Sequence, residues 1–174
     1  TLTRMKKSLF ALSLFLLMQA VNLSAVMAQD EPDASFDAFL KKFTSSAEFQ
    51  YSRVKFPVAT PIFLITANGD EQEVPFTQEE WPLLGDKELK EFRQETQDGV
   101  YFRHFTVRDK DHVEFEAGLE ESELDLSVIF DLIDGKWYVT DCFNGIYGGI
   151  PVDDFDATVY EVQQKNEQFI KKHP

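Results

Sequence analysis

Two titratable side chains, His104 and Asp141, are the residues whose type and setting best suit chemistry. A two-residue turn at Asp134-Gly135 predicts a hairpin, because this dipeptide readily adopts the backbone that tight hairpins need. The register of that hairpin places Asp141 opposite Val128, and directly opposed residues share one face of a sheet. Since the other residues on this face are apolar, Asp141 is predicted to be a carboxylate in apolar surroundings.

A second predicted hairpin supplies His104. Strands over 100–107 and 112–119 flank a polar four-residue turn, which sets their antiparallel register. This register puts His104 on a largely apolar face and pairs Arg103 with Glu116 on the opposite face, as expected for a solvent-exposed ion pair. His104 is therefore the second titratable group predicted on an apolar face of the same sheet.

If that sheet curls, both groups point into one cavity, where a carboxylate and an imidazole would suit proton transfer. Two alternatives stay open: the pair lines a ligand pocket without chemistry, or it forms ordinary hydrogen bonds at the rim of the sheet. Four aromatic residues complete the predicted ligand-binding set, namely Trp137, Phe102, Phe130 and Trp81. Core packing is the alternative role for aromatic side chains of this size.

Composition excludes several other classes of function. The chain has 31 acidic residues against 17 basic ones, a formal charge of -14. Because nucleic-acid binding depends on cations placed against phosphates, no nucleic-acid partner is expected. The run Asp109-Lys110-Asp111 begins like a calcium loop but has Glu114 where that loop needs glycine, so no metal or cofactor is expected. Cys142 is the single cysteine and is predicted to be a small buried hydrophobe.

The beginning of the chain is typical of a secretory signal peptide. Lys6 and Lys7 follow Met5, residues 9–18 are almost wholly apolar, and the residues up to Ala28 suit a signal peptidase. We expect residues 1–28 to be this signal, residues 1–4 being extra residues before Met5. The mature protein would then be a single domain over 29–174, periplasmic or extracellular, with no membrane insertion after cleavage.

Helices precede strands in this predicted domain, and a further helix ends it. Helices are predicted over 35–43 and 46–54, and another over 87–96. Strands are predicted over 61–65 and 100–107, 112–119, 124–133 and 136–143, and the last helix over 153–171. Because the late strands are joined by turns too short for parallel crossovers, the sheet should be antiparallel and the fold class α+β.

This order of elements resembles the NTF2-like superfamily, in which a curved antiparallel sheet packed on N-terminal helices makes a cone. The segment 35–57 also resembles a family of exported Bacteroides proteins that carries a domain-of-unknown-function label and an NTF2-like assignment. The residues that carry the second resemblance are Phe36, Phe39, Phe43, Phe49, Arg53 and Phe56-Pro57. The last helix is an addition to the cone, which would cover its mouth or form a dimer contact.

The resemblance implies several functions, since NTF2-like domains include isomerases, dehydratases, small-ligand binders and interaction modules. Isomerases of the superfamily use an inward carboxylate with tyrosine donors, but the predicted register puts Tyr101 and Tyr138 on the face away from Asp141. The function that we predict is therefore non-catalytic binding of a small ligand or peptide in the cone. The alternatives are an isomerase- or dehydratase-like enzyme that uses Asp141 and His104, and a homodimeric protein-interaction module.

Overall fold

The computed structural model describes residues 32–174, and the predicted signal peptide lies outside them. Two helices come first, followed by a two-stranded and a five-stranded antiparallel sheet and a long terminal helix. Their bounds are α1 Phe36–Phe43, α2 Ala47–Ser52, β1 Ile62–Ile65, β2 Glu71–Val74, β3 Phe92–Thr96, β4 Gly99–Arg108, β5 His112–Leu119, β6 Leu124–Ile133, β7 Lys136–Asn144 and α3 Phe155–Lys172. The fold is α+β with a curved antiparallel sheet and a C-terminal helix, as predicted.

Serine residues begin the first two helices. The hydroxyl of Ser35 accepts a hydrogen bond from the Ala38 amide at 3.1 Å, which satisfies one of the free donors at the start of α1. The hydroxyl of Ser46 does the same for Phe49 in α2 at 3.3 Å. The neighbouring hydroxyl of Ser45 donates to the carbonyl of Lys41 in the last turn of α1.

The larger sheet is a simple meander in the order β3-β4-β5-β6-β7. Its last four strands match the predicted strands closely, but the predicted helix over 87–96 is wrong. Residues 92–96 form β3, which pairs with β4 from Phe92 opposite Arg103 to Thr96 opposite Gly99. Gly99 has a φ of 129°, which favours glycine, and allows this tight return of the chain.

Aromatic packing fills the space between α1 and the inner face of this sheet. The ring of Phe130 contacts Phe36, Phe39 and Phe43 in edge-on geometry, with ring centroids 5.3, 6.0 and 5.9 Å away. The ring of Trp137 lies 5.0 Å from that of Phe36. Edge-on pairs at these separations are favourable, so this part of the interior is solid core.

A buried ion pair ties the start of the domain to β7. Arg53 donates to both carboxylate oxygens of Asp33, at 2.7 and 3.2 Å, and to the carbonyl of Trp137 at 3.1 Å. The Trp137 amide donates in turn to Asp33 at 2.8 Å. Both charged side chains are nearly buried, and each has hydrogen bonds to the other and to the backbone of Trp137, which offset the cost of burying them.

The register of the strands differs from the predicted one in a way that matters for the site. In the β6-β7 hairpin, a bulge between Ile129 and Phe130 places Asp141 opposite Ile129 instead of Val128. In the β4-β5 pair, Arg103 lies opposite Ala117 and His104 opposite Glu116, a shift of one residue. Because side chains alternate between faces, a one-residue shift exchanges the inner and outer residues of β4 relative to β5.

Candidate functional site

His104 lies on the outer face of the sheet and is exposed, contrary to the prediction that it lines a cavity. Its ring stacks on that of Phe102, with centroids 4.8 Å apart and planes at 28°. Phe102 is buried but lies outside the central core cluster, because it shares this outer face with His104. The shift of register between β4 and β5 is the reason for both placements.

Asp141 is also on the outer face, where its carboxylate has a structural role. It accepts hydrogen bonds from the Thr60 amide at 2.8 Å, the Thr60 hydroxyl at 2.9 Å and the Cys142 amide at 2.8 Å. These bonds attach the segment before β1 to β7. His104 is on β4 and Asp141 on β7, three strands away in the sheet. This is a separation of roughly 14 Å at the usual strand spacing, so the structure does not bring the two side chains together.

The remaining aromatic members of the predicted set are core residues. Phe130 is fully buried, and Trp137 is 4% exposed. Trp81 is also fully buried, and its indole N–H donates to the side-chain oxygen of Gln50 at 3.0 Å. Their packing therefore agrees with the alternative role considered for them, and the space they were expected to line is filled.

The structure instead forms an open groove of about 1010 Å³ elsewhere on the inner face. One side is the sheet, another is the segment 82–88, and α3 lies along it. Its most buried surface is apolar and comes from Leu84, Ala117, Leu126 and Val162. The sequence pattern did not predict this groove, which we call the inner groove.

A row of residues in register across all five strands gives the inner groove its floor. Phe92, Arg103, Ala117, Leu126 and Asn144 lie opposite one another in turn, and therefore share a face. Along this row, the apolar side chains of Leu126 and Ala117 are followed by the charged side chain of Arg103. The floor of the inner groove is thus apolar at Ala117 and Leu126 and cationic at Arg103.

Arg103 is half-buried and held in place by two contacts. Its guanidinium carbon lies 4.8 Å from the centre of the Phe92 ring, within the range of a cation–π contact. Its Nη1 donates to the carbonyl of Lys87. Its Nε is buried without a hydrogen-bond partner, which is unusual for a buried donor in a folded domain.

Tyr101 precedes Arg103 by two residues on β4, so both side chains are on the inner face. Burial raises the pKa of Tyr101, the charge of Asp125 raises it further, and the charge of Arg103 opposes both effects. The phenol is therefore protonated at neutral pH and able to donate a hydrogen bond. Among the described residues none accepts a hydrogen bond from it.

The charge of the inner groove is opposite to that of the whole chain. Five basic side chains line it, those of Lys41, Lys87, Arg103, Lys165 and Lys172. Three acidic ones line it as well, those of Asp86, Glu88 and Asp125. Within residues 32–174, none of the five basic side chains has a carboxylate within ion-pair distance. The lining therefore carries an excess of unpaired positive charge, although acidic residues outnumber basic ones in the chain by 31 to 17.

Two buried amides hold the wall of the inner groove in place. Gln50 donates to the carbonyls of Phe43 and Leu84, at 2.8 and 2.9 Å, and accepts from the amide of Leu84 at 2.8 Å. Asn166 on α3 accepts from the Leu83 amide at 2.8 Å and donates to the Trp81 carbonyl at 2.8 Å. Residues 81–84 have no regular secondary structure, so these side chains replace the missing backbone partners.

A separate titratable cluster lies on the outer face around His112. The ring nitrogens of His112 lie 2.6 Å from Asp131 and 2.8 Å from Glu114. Hydrogen bonds to Asp131 and then Glu114 raise the pKa of His112, although burial opposes the shift. Burial alone would raise the pKa of Asp131, but hydrogen bonds from His112 and Thr140 and the charge of His112 lower it. The sequence alone does not indicate this cluster, because Asp131 belongs to β6 and reaches His112 only through the pairing of β5 with β6.

Other chemical features are few in the part of the chain that the structure describes. No group of three or more His, Cys, Asp or Glu side chains there could hold a metal ion. Cys142 is buried, as predicted, and burial followed by the charge of Asp141 raises the pKa of its thiol. No helix within residues 32–174 is long and apolar enough to cross a membrane.

Comparison with solved structures places this geometry in a family. A cystatin-like protein from Bacteroides caccae is 46% identical, with a TM-score of 0.78 over 83% of this chain and 98% of that one. The chain belongs to the same Bacteroides family. A protein from Bacteroides uniformis is 50% identical, with a TM-score of 0.77 over 83% of this chain and 99% of its own.

A third member of the family, from Bacteroides ovatus, is 47% identical with a TM-score of 0.77 over 83% of this chain and 96% of that one. A family model matches residues 34–170. None of the curated proteins compared with the chain matches it. The predicted resemblance to a Bacteroides family is thus confirmed, and the cystatin-like description agrees with the α+β class.

Proposed function

We propose that this protein is an exported, non-catalytic binding domain that takes a small ligand in the inner groove. The observation that carries the proposal is the groove itself, an open cavity of about 1010 Å³ with an apolar floor. Pockets for small molecules are typically about 300–1,000 Å³, mostly apolar, with a few polar groups that fix orientation. The inner groove has that size and that division of polar and apolar surface.

The architecture that we propose for this function is NTF2-like. Two N-terminal helices and a curved meander support it, since the sheet packs one face against the helices and leaves room at its other end. In this proposal α3 is the added helix that covers the mouth of the cone. The position of α3 supports this, because Val162, Asn166 and Phe169 line the inner groove. Export rests on the signal-peptide pattern of residues 1–28, and N-terminal sequencing of the secreted protein tests it.

Binding without chemistry is favoured over the enzyme alternative by the positions of His104 and Asp141. His104 is exposed on the outer face, and the Asp141 carboxylate is engaged by Thr60 and Cys142. A general acid or base has to reach the proton that it transfers, and these two groups share no cavity that would hold a substrate.

A fragment screen by two-dimensional NMR of the ¹⁵N-labelled protein tests the proposed function. We expect hits to shift the backbone amides of Leu84, Ala117, Leu126 and Val162. Ala117→Met places a larger side chain on the floor of the groove and should weaken these hits at least about tenfold. Ser127→Met is the matched control, because Ser127 lies on the outer face opposite Glu116. Hits that shift only amides outside the groove, or none at all, would contradict the proposal.

Self-association is a second candidate function, favoured by the exposure of β3. All five residues of this strand are exposed, and among the described strands it pairs only with β4. An exposed sheet edge is a template for pairing with another chain. Glu95 lies opposite Val100, whose carbonyl accepts from Glu120 on the side of β5, so the N–H of Glu95 points away from β4 to the open edge. Analytical ultracentrifugation tests this idea: a dimer that Glu95→Pro converts to a monomer supports it, and a monomeric wild-type protein refutes it.

A further inference from the structure

We propose that the ligand of the inner groove is an organic anion whose carboxylate or phosphate group binds Arg103 and the hydroxyl of Tyr101. This inference rests on the proposed function and adds the chemical class of the ligand. It begins with the hydrogen-bonding state of Arg103. Nη1 is already engaged by the carbonyl of Lys87, whereas Nε is buried and has no partner among the described residues.

The free donors of Arg103 are arranged for a planar oxyanion. Nε–H and one N–H of Nη2 lie on the same edge of the guanidinium, and that edge matches the two oxygens of a carboxylate or phosphate. No hydrogen bond joins Nη2 to any residue within 32–174. Because a buried donor without a partner is costly, a bound anion that supplies this partner gains more than it would at an exposed arginine.

The position of the guanidinium is also fixed before a ligand arrives. The Phe92 ring lies against one face, with its centre 4.8 Å from the guanidinium carbon, and the Lys87 carbonyl holds Nη1. A side chain that is already ordered loses less conformational freedom on binding than a mobile one. Arg103 is therefore better prepared to bind than the exposed lysines at the rim.

Neighbouring groups support the same ligand class. Tyr101 stands two residues away on the inner face, and its protonated hydroxyl is a second donor beside Arg103. Lys41, Lys165 and Lys172 add positive charge at the rim, without ion-pair partners in the described part of the chain. The apolar floor at Ala117 and Leu126 suits the hydrocarbon part of the ligand. The class that fits is an apolar body with one anionic group.

Isosteric probes test the charge preference. The ¹⁵N-labelled protein is titrated with 2-naphthoate, naphthyl phosphate, naphthylmethylamine and naphthylmethanol, followed through the amides of Leu84, Ala117 and Leu126. We expect saturable shifts with one or both anions, and at least tenfold weaker shifts with the amine. Whichever anion binds more tightly tells a carboxylate ligand from a phosphate ligand.

Variants test the role of Arg103. Arg103→Gln keeps much of the side chain but loses the charge, and should weaken anion binding about tenfold or more. Tyr101→Phe should weaken it less, by about threefold. Arg93→Gln is the matched control, because it removes the same charge from the neighbouring strand but on the outer face, where Arg93 pairs with Glu120. It should change anion binding less than twofold.

The outcomes separate this inference from the proposed function. If the amine or the alcohol shifts the groove amides as strongly as the anions, or if Arg93→Gln weakens binding as much as Arg103→Gln, the anion assignment is wrong while groove binding stands. If neither these probes nor the fragment hits shift the groove amides, both the assignment and the proposed function are wrong.

Discussion

Replacing Gln50 by leucine tests how the wall of the inner groove is held. Gln50 is fully buried and makes four hydrogen bonds, with Phe43, Trp81 and the amide and carbonyl of Leu84. Leucine has a similar volume but leaves two buried donors and two buried acceptors without partners. Each unsatisfied buried group costs about 1–3 kcal/mol. Taking the lower value for four groups, and subtracting about 1 kcal/mol for the apolar gain, gives a loss of about 3 kcal/mol.

Urea unfolding followed by tryptophan fluorescence measures this loss directly. A decrease of about 3 kcal/mol is a large part of the 5–15 kcal/mol that stabilises a typical domain. Gln164→Leu, on the exposed side of α3, is the control and should change the free energy of unfolding by less than about 0.5 kcal/mol. If Gln50→Leu falls within about 1 kcal/mol of the wild type, the hydrogen bonds of Gln50 do not hold this wall and the reasoning fails.

Three further predictions concern the outer face and β7. Asp141→Asn should lower the free energy of unfolding by about 1–3 kcal/mol, as measured by urea unfolding, because it weakens the attachment of Thr60. The same variant should leave probe binding in the inner groove unchanged within twofold, as measured by NMR titration. The pKa of His112 is raised on folding, so His112 contributes stability that is fully present below pH 6.5 and is lost as the pH rises through the raised value. The His112→Gln variant should therefore be less stable than the wild type at pH 5 but not at pH 9. Equal losses of stability at the two pH values would contradict this. Cys142 is buried and its thiol pKa is raised, so a disulfide reagent at pH 8 should modify it quickly only in urea; fast reaction of the folded protein would show that the thiol is accessible.

The pattern of residues predicted most of the elements because local chemistry determines them. Alternating apolar residues define β4 to β7, and Asp134-Gly135 joins the last two strands in a two-residue turn. The wrong helix over 87–96 has an equally local cause, since Leu89 and Phe92 have helical spacing. Pairing with β4 overrides that spacing and makes residues 92–96 a strand, although all of them are exposed.

The register could not be predicted because bulges are small events with large effects. The bulge between Phe105 and Val107 and the one between Ile129 and Phe130 each add one residue to one strand. No motif in the sequence marks either of them. The inner groove was also beyond prediction, since it depends on the path of residues 81–88 under α3. Gln50, a buried amide among apolar neighbours, is the residue that could have indicated such a wall.

The one-residue shift between β4 and β5 also determines which chemistry faces the interior. In the predicted register, His104 points inward while Tyr101 and Arg103 face solvent. In the observed register, the row through Ala117 and Leu126 brings Arg103 and Tyr101 inward and leaves His104 outside. The candidate site therefore changes from one that could transfer a proton to one with a fixed cation and a hydroxyl donor. Such groups can hold an anion in place, and for this reason we propose binding and not catalysis.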